Sequence, residues 1–139
     1  MSTQANKQIV RRYQEIYNSN QLDDLLEVVS ENLLTPKIMA GVPAGIEGAK
    51  AAHQIMLTGF PDYQTVIDDL IAEGDKVVAR ITMSGTNTGA FMGIPATGKF
   101  ISFTGMYMAR IENGKIVEHW GEEDGVSLLA QLGVLPPME

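Results

Sequence analysis

Residues 110–120 read Arg-Ile-Glu-Asn-Gly-Lys-Ile-Val-Glu-His-Trp and contain the clearest structural signal in the chain. Asn113-Gly114 lies between the apolar residues Ile111 and Ile116. An Asn-Gly pair in this setting is typical of a two-residue type I′ hairpin turn, because both positions tolerate positive φ. The segment therefore predicts two antiparallel strands joined by a tight turn.

Hydrophobic periodicity assigns the rest of the chain outward from this hairpin. The predicted strands are Tyr63–Ala72, Lys76–Gly85, Lys99–Ile111 and Lys115 to about Gly121. The predicted helices are about Thr3–Asn18, about Leu22–Val29, from near Ile46 to Gly59, and Gly125–Leu132. Helices that precede a run of consecutive strands indicate an α+β fold, since alternating strands and helices would be expected for a parallel sheet.

Composition limits the classes of function. A chain of 139 residues with 45% hydrophobic residues predicts one soluble globular domain, residues 1–139. The net charge of −7 argues against binding to nucleic acid, which requires clustered basic residues. The absence of cysteine excludes disulfides and zinc–thiolate sites. No apolar stretch is long enough for a signal peptide core or a membrane span, so we expect a cytoplasmic protein without membrane contacts.

Counting from the turn assigns side chains to sheet faces, provided that the alternation is unbroken. On this register Tyr107 opposes Trp120, Ala109 opposes Glu118, and His119 belongs to the other face. The more apolar face, which we expect to be the concave interior, carries Ile101, Phe103, Tyr107, Ala109, Ile111, Ile116, Glu118 and Trp120. A buried carboxylate without a partner costs several kcal/mol, so Glu118 is interpreted either as a solvated rim residue or as a pocket acid or base.

Further motifs follow one another over nearly the whole chain. They are Phe60-Pro61-Asp62, residues 73–80, Gly85-Thr86-Asn87-Thr88-Gly89, residues 93–98, residues 110–120, Asp124 and Gln131-Leu132-Gly133. In this order and spacing they resemble the SnoaL-like polyketide cyclases of the nuclear transport factor 2-like superfamily. The resemblance implies a cone-shaped α+β barrel, in which a strongly curved antiparallel sheet wraps around the N-terminal helices and encloses a pocket.

The resemblance also implies a reaction. In such cyclases a carboxylate removes an acidic proton alpha to carbonyl groups and starts an intramolecular aldol ring closure of a polyketide-type ester. The sequence contains no phosphate loop, dinucleotide fingerprint or metal-ligand cluster, so we expect no cofactor and no metal. Because one fold carries many functions, two alternatives stay open: a non-catalytic binding protein for an apolar small ligand, and a hydrolase or isomerase on the same scaffold.

The resemblance places the acid/base carboxylate at Asp124. Asp124 also suits the N-cap of the last helix, with Ser127 at the third position, and the two roles are compatible. Asn87 stands where relatives often have histidine, and the inner strand lacks the histidine common in those relatives. We therefore expect His53 or Tyr107 to stabilise the enolate oxygen, although a lone histidine on a helix face is also a common core residue.

The remaining predicted pocket positions are largely apolar or aromatic. We expect the substrate to contact Tyr13, Met56, Ile81, Met83, Phe103, Glu118 and Trp120, with Met39 and Met92 as further candidates. The opposite sheet face is too apolar for solvent on a small monomer and predicts a homodimer or a higher homo-oligomer. That face carries Thr82, Thr104, Met106, Met108 and His119 on the predicted register.

Overall fold

The computed structural model describes residues 2–36 and 41–135. The helices are α1 (Thr3–Asn18), a 3₁₀ helix (Leu22–Glu27), α2 (Gly45–Gly59) and α3 (Gly125–Gln131). The strands are β1 (Val29–Leu34), β2 (Gln64–Glu73), β3 (Lys76–Thr86), β4 (Phe100–Glu112) and β5 (Lys115–Glu123). Met39, a sequence candidate for the pocket lining, lies outside the described residues. Within them, no helix is both long and apolar enough to cross a membrane.

The five strands form one sheet in the order β1-β5-β4-β3-β2. Neighbours are antiparallel except that β1 runs parallel to β5. The predicted α+β class is confirmed, and the four predicted strands pair antiparallel as expected. The sequence did not predict β1, which adds a parallel strand at one edge. The second predicted helix is shorter and of the 3₁₀ type, and β1 follows it. The polar run Ser30-Glu31-Asn32 hides β1 in the sequence, because its middle residues are on an exposed edge and only Val29 and Leu33 are buried.

Helix α1 forms as the sequence predicts and packs against the inner face of the sheet. The Ser2 hydroxyl accepts a hydrogen bond from the Ala5 amide and so caps the first turn. At the other end, the Asn18 side chain pairs with the backbone of β2. Its Nδ2 donates to the Thr65 carbonyl at 2.9 Å, and its Oδ1 accepts from the Thr65 amide at 3.0 Å. Asn18 thereby fixes the end of α1 to the sheet beside the cavity described below.

The β4–β5 hairpin has the predicted turn but not the predicted register. Asn113 and Gly114 have φ of 51° and 78°, as a type I′ turn requires. Ile111 pairs with Ile116, but Arg110, the preceding residue of β4, pairs with Glu118. Val117 is therefore an extra residue in β5. Such a bulge exchanges the two faces of the strand beyond it.

The bulge reverses three face assignments made from the sequence. Trp120 pairs with Met108, lies on the outer face and is 37% exposed. His119 pairs with Ala109 on the inner face. Glu118 also lies outside, where its Oε1 is 2.6 Å from Arg110 Nη2. The predictions of Trp120 and Glu118 inside, and of His119 outside, are therefore wrong.

Asn87 fixes the loop that follows β3. It is completely buried, and its Nδ2 donates to the carbonyls of Gly59 at 3.2 Å and Gly89 at 2.9 Å. Its Oδ1 accepts from the amide and the hydroxyl of Thr97 at 2.9 and 2.8 Å. The side chain thus ties the end of α2 to the loop before β4, and it does not line the cavity.

Replacement of Asn87 should destabilise the fold without touching the cavity. In Asn87→Ala, buried backbone groups lose their partners, and we expect the free energy of unfolding to fall by about 3 kcal/mol. Urea denaturation measures this change. Asn32→Ala on the exposed part of β1 is the control and should change stability by less than about 0.5 kcal/mol. Equal effects of the two substitutions would contradict a structural role for Asn87.

Candidate active site

A cavity of about 170 Å³ lies between α1, α2 and the inner face of the sheet. Six rings from these layers line it: Tyr13, Tyr17, His53, Tyr63, Tyr107 and His119. Aliphatic and sulfur-containing side chains complete most of the wall, which suits a flat, largely apolar ligand. The few polar groups that face this space therefore decide what chemistry it supports.

The cavity brings together six of the residues that the sequence selected. Tyr107 and His53 line it, as do four of the expected substrate contacts: Tyr13, Met56, Ile81 and Met83. Phe103 points to the same sheet face but is packed into the core with 3% exposure and does not line the cavity. Glu118 and Trp120 are outside because of the bulge.

Asp124 caps α3 and lies away from the cavity. Its Oδ1 accepts a hydrogen bond from the Ser127 amide at 3.0 Å, which confirms the N-cap interpretation. The surface groove beside it is formed with residues such as Arg80 and Met106 of the outer sheet face. The lining of the cavity does not include Asp124. The position of this carboxylate therefore does not favour the base role that the resemblance implied.

Glu123, the preceding residue, is the one carboxylate among the described residues that lines the cavity. Beyond the bulge, residues 119, 121 and 123 of β5 share the inner face. Glu123 as a whole is accessible to solvent, so it lies at the rim of the cavity, and burial of its carboxyl group raises the pKa of Glu123. Simple alternation from the turn puts Glu123 on the outer face, because it does not include the extra residue Val117.

Gly105 makes room for Glu123 on the neighbouring strand. It pairs with Glu123, and a Cβ at this position would lie 2.8 Å from the Glu122 carbonyl oxygen. The same Cβ would be 3.1 Å from Met83 Cε and 3.2 Å from Glu123 Cγ. Glycine therefore lets both side chains extend over β4 toward the cavity.

His119 is the second polar group that β5 supplies. Its Nε2 is buried without a hydrogen-bond partner, and its ring centroid lies 4.8 Å from that of Tyr107 and 5.6 Å from that of Tyr13. Burial lowers the pKa of His119 to about 4. The ring is therefore neutral near pH 7 and offers one nitrogen to a bound ligand.

His53 faces the same cavity from α2. Its Nε2 is also buried without a partner, and its ring centroid is 4.9 Å from that of Tyr17. Burial lowers the pKa of His53, opposed in part by a hydrogen bond with the Tyr17 backbone. Two neutral imidazoles on opposite walls therefore present unpartnered nitrogens in one aromatic cavity.

The tyrosine hydroxyls do not ionise near neutral pH. Burial raises the pKa of Tyr17 and of Tyr63 to about 12, and it also raises the pKa of Tyr107. The Tyr107 hydroxyl donates to Gln14 Oε1 at 3.2 Å. Because its proton is directed to Gln14, Tyr107 is not a spare donor for a ligand oxygen.

Comparison with known proteins agrees with this architecture. Residues 7–132 match the family described as SnoaL-like polyketide cyclase. The chain belongs to this family. It is 31% identical to the aklanonic acid methyl ester cyclase of Streptomyces peucetius over 96% of this chain and 92% of that protein. It is 30% identical to the nogalonic acid methyl ester cyclase of Streptomyces nogalater, over 84% and 89% of the two chains.

A solved structure supports the fold over the same length. TsrD from Streptomyces laurentii superposes with a TM-score of 0.86 at 33% identity, covering 97% of this chain and 99% of TsrD. The family predicted from the sequence motifs, and the α+β fold that it implied, are thus confirmed.

Buried His119 should make stability depend on pH. The unfolded ring has an ordinary pKa near 6.5, so the unfolded state binds its proton first as the pH falls. Above about pH 6.5 the ring is neutral in both states, and its titration does not affect the free energy of unfolding. As the pH falls from about 6.5 to about 4, titration of His119 lowers the free energy of unfolding by at most about 3 kcal/mol. Urea titrations from pH 4 to 7.5 should show a weaker acid dependence in His119→Gln than in wild type. Parallel curves would contradict a buried neutral ring.

Proposed function

We propose that this protein catalyses the cofactor-free cyclisation of a small polyketide-type ester by an intramolecular aldol reaction. The observation that carries the proposal is the pair Glu123 and His119, which share the inner face of β5 and line one aromatic cavity. The methyl ester cyclases of the same family support the class of substrate. Flat aromatic intermediates also match the ring-lined wall of the cavity.

Glu123 is the proposed general base. Its carboxylate removes a proton from the carbon between two carbonyl groups, and the electrons of the C–H bond pass into the enolate. A pKa raised by burial makes a carboxylate a stronger base near neutral pH than a fully solvated one. The rim position lets Glu123 exchange its proton with solvent between turnovers.

Ring closure then needs no further reagent. The enolate carbon attacks a second carbonyl carbon of the same molecule and forms the new C–C bond. The resulting alkoxide takes a proton back, and protonated Glu123 is the proposed donor. Atoms and electrons balance without an oxidant, a reductant or a metal.

His119 is proposed to stabilise the oxygen on which negative charge develops. A neutral ring that carries its proton on Nε2 donates one hydrogen bond, and this nitrogen has no competing partner in the described part of the chain. Residues four apart on a strand are about 13 Å apart at their Cα atoms. Both side chains project into the cavity, so the reacting atoms of a substrate fit between carboxylate and imidazole. Tyr107 packs against His119 and restricts the orientation of its ring.

Paired substitutions distinguish the two neighbouring carboxylates. We expect Glu123→Gln to lower kcat on aromatic polyketide methyl esters by about 10²- to 10⁴-fold, because it removes the base while keeping the shape. Asp124→Asn is the matched control, since asparagine also caps a helix and this residue lies outside the cavity. Its kcat should stay within about twofold of wild type.

The reverse result would return the base role to Asp124. If both variants keep wild-type turnover, neither carboxylate is the base. If wild type binds the esters without converting them, a binding function replaces the cyclase proposal. Product formation is followed by chromatography, and calorimetry measures binding in the inactive variants.

We further propose that the protein is a homodimer that packs through the outer face of the sheet. Five large apolar side chains lie exposed on strands of that face: Val66, Ile71, Phe100, Met106 and Trp120. Trp120 takes the place that the sequence analysis gave to His119. Scattered exposed apolar residues are ordinary, but a sheet face that carries several favours an interface.

Light scattering at micromolar concentration tests the dimer. Wild type should have twice the chain mass of 15.1 kDa, and Met106→Arg should shift the protein toward monomer by placing a charge in the apolar face. Lys7→Arg on α1, which keeps a charge on an unrelated surface, is the control and should remain dimeric. A monomeric wild type would contradict the interface.

A further inference from the structure

His53 has no task in the proposed reaction, yet its surroundings are those of a binding group. It is 8% exposed on α2, opposite the sheet that carries Glu123 and His119. Its ring centroid lies 4.9 Å from that of Tyr17 and 6.2 Å from that of Tyr63. Its Nε2 has no hydrogen-bond partner among residues 2–36 and 41–135. A polar atom in this position costs stability unless a ligand satisfies it.

The Tyr17 backbone indicates which nitrogen of His53 carries the proton. Burial lowers the pKa of His53, and a hydrogen bond with the Tyr17 backbone raises it against that effect. A contact that raises a histidine pKa is one that the ring donates, and the backbone acceptor is a carbonyl oxygen. Since Nε2 is buried without a partner among the described residues, we assign the proton to Nδ1. Neutral His53 then has a bare lone pair on Nε2, which accepts hydrogen bonds and donates none.

We propose that His53 is a specificity-determining residue whose Nε2 accepts a hydrogen bond from a hydroxyl group of the substrate. The substrate class is thereby a phenolic or enolic polyketide, with a hydroxyl at the end that faces α2 and the reacting carbonyls near β5. Naming a polyketide rests on the proposed function, whereas the preference for a hydroxyl rests on the geometry of His53 alone. An ether or a ketone at the same position leaves Nε2 buried and unsatisfied.

Unreactive probes of nearly equal shape test the preference. Calorimetry on the full chain compares 2-naphthol with 2-methoxynaphthalene, which cannot donate, and with 2-acetonaphthone, which only accepts. We expect wild type to bind 2-naphthol about five- to tenfold more tightly than either of the others. Equal affinities, or a preference for the ketone, would overturn the proposal.

Substitutions then assign the preference to His53. His53→Leu should bind the three probes with affinities within about twofold of one another, and His53→Gln, whose Oε1 lies near the position of Nε2, should restore part of the preference. Thermal unfolding verifies that both variants are folded. If His53→Leu is unfolded, nitrogen NMR of wild type labelled in histidine decides alone. Protonated Nδ1 supports the proposal, and protonated Nε2 contradicts it.

The outcomes separate this inference from the proposed function. None of the naphthalene probes can undergo ring closure, so their affinities do not depend on the base. Loss of turnover in Glu123→Gln together with equal probe affinities would leave the cyclase and remove the hydroxyl contact. Unchanged turnover in Glu123→Gln together with a naphthol preference would leave the contact and remove the base.

Discussion

Val117 forms a β-bulge in the ladder between β4 and β5, and this bulge decides which side chains of β5 face the cavity. Side chains alternate along a strand, so a single extra residue exchanges the faces of everything beyond it. Because the bulge comes two residues after Lys115 starts the strand, nearly all of β5 is affected. It turns His119 and Glu123 into the cavity and leaves Glu118 and Trp120 on the outer face. Without the bulge, Trp120 would line the cavity, and Glu118 would be its carboxylate in place of Glu123.

The energies explain why the chain accepts this irregularity. A regular hairpin would place Glu118 among apolar side chains without a partner, at a cost of several kcal/mol. The bulge sacrifices about one ladder hydrogen bond, whose net contribution is about 1 kcal/mol. In return, Glu118 reaches Arg110 at 2.6 Å on the partly solvated outer face. The lone charge on the predicted inner face was therefore a sign of an irregularity between the turn and Glu118.

Local sequence patterns predicted most helices and strands, but they did not predict the pairing and register of strands that are distant in sequence. The bounds of α1 and the Asn113-Gly114 turn follow from capping, periodicity and backbone preference, all of which act within a few residues. Strand β1 was not predicted, because a short edge strand with a polar centre has neither a periodic pattern nor a partner nearby in the sequence. The positions of Tyr107, His53 and Met83 follow from the sequence, because β4 and β3 pair without a shift and α2 is a regular helix. Glu123 was missed because its face is decided six residues away, at Val117.

The depth of each polar group in the cavity follows the free-energy cost of burying it. A neutral imidazole is cheaper to bury than an ionised carboxylate, and both His53 and His119 sit deep enough for burial to lower their pKa values. Glu123 stays at the rim, and partial burial of its carboxyl group raises the pKa of Glu123. The tyrosines contribute ring surface and remain protonated. A ligand that enters with its acidic carbon toward the rim meets the carboxyl group of Glu123 first and the imidazole nitrogens of His119 and His53 behind it. This order suits proton removal from an apolar carbonyl compound better than it suits binding of an anion, since no cationic side chain lines the described part of the cavity.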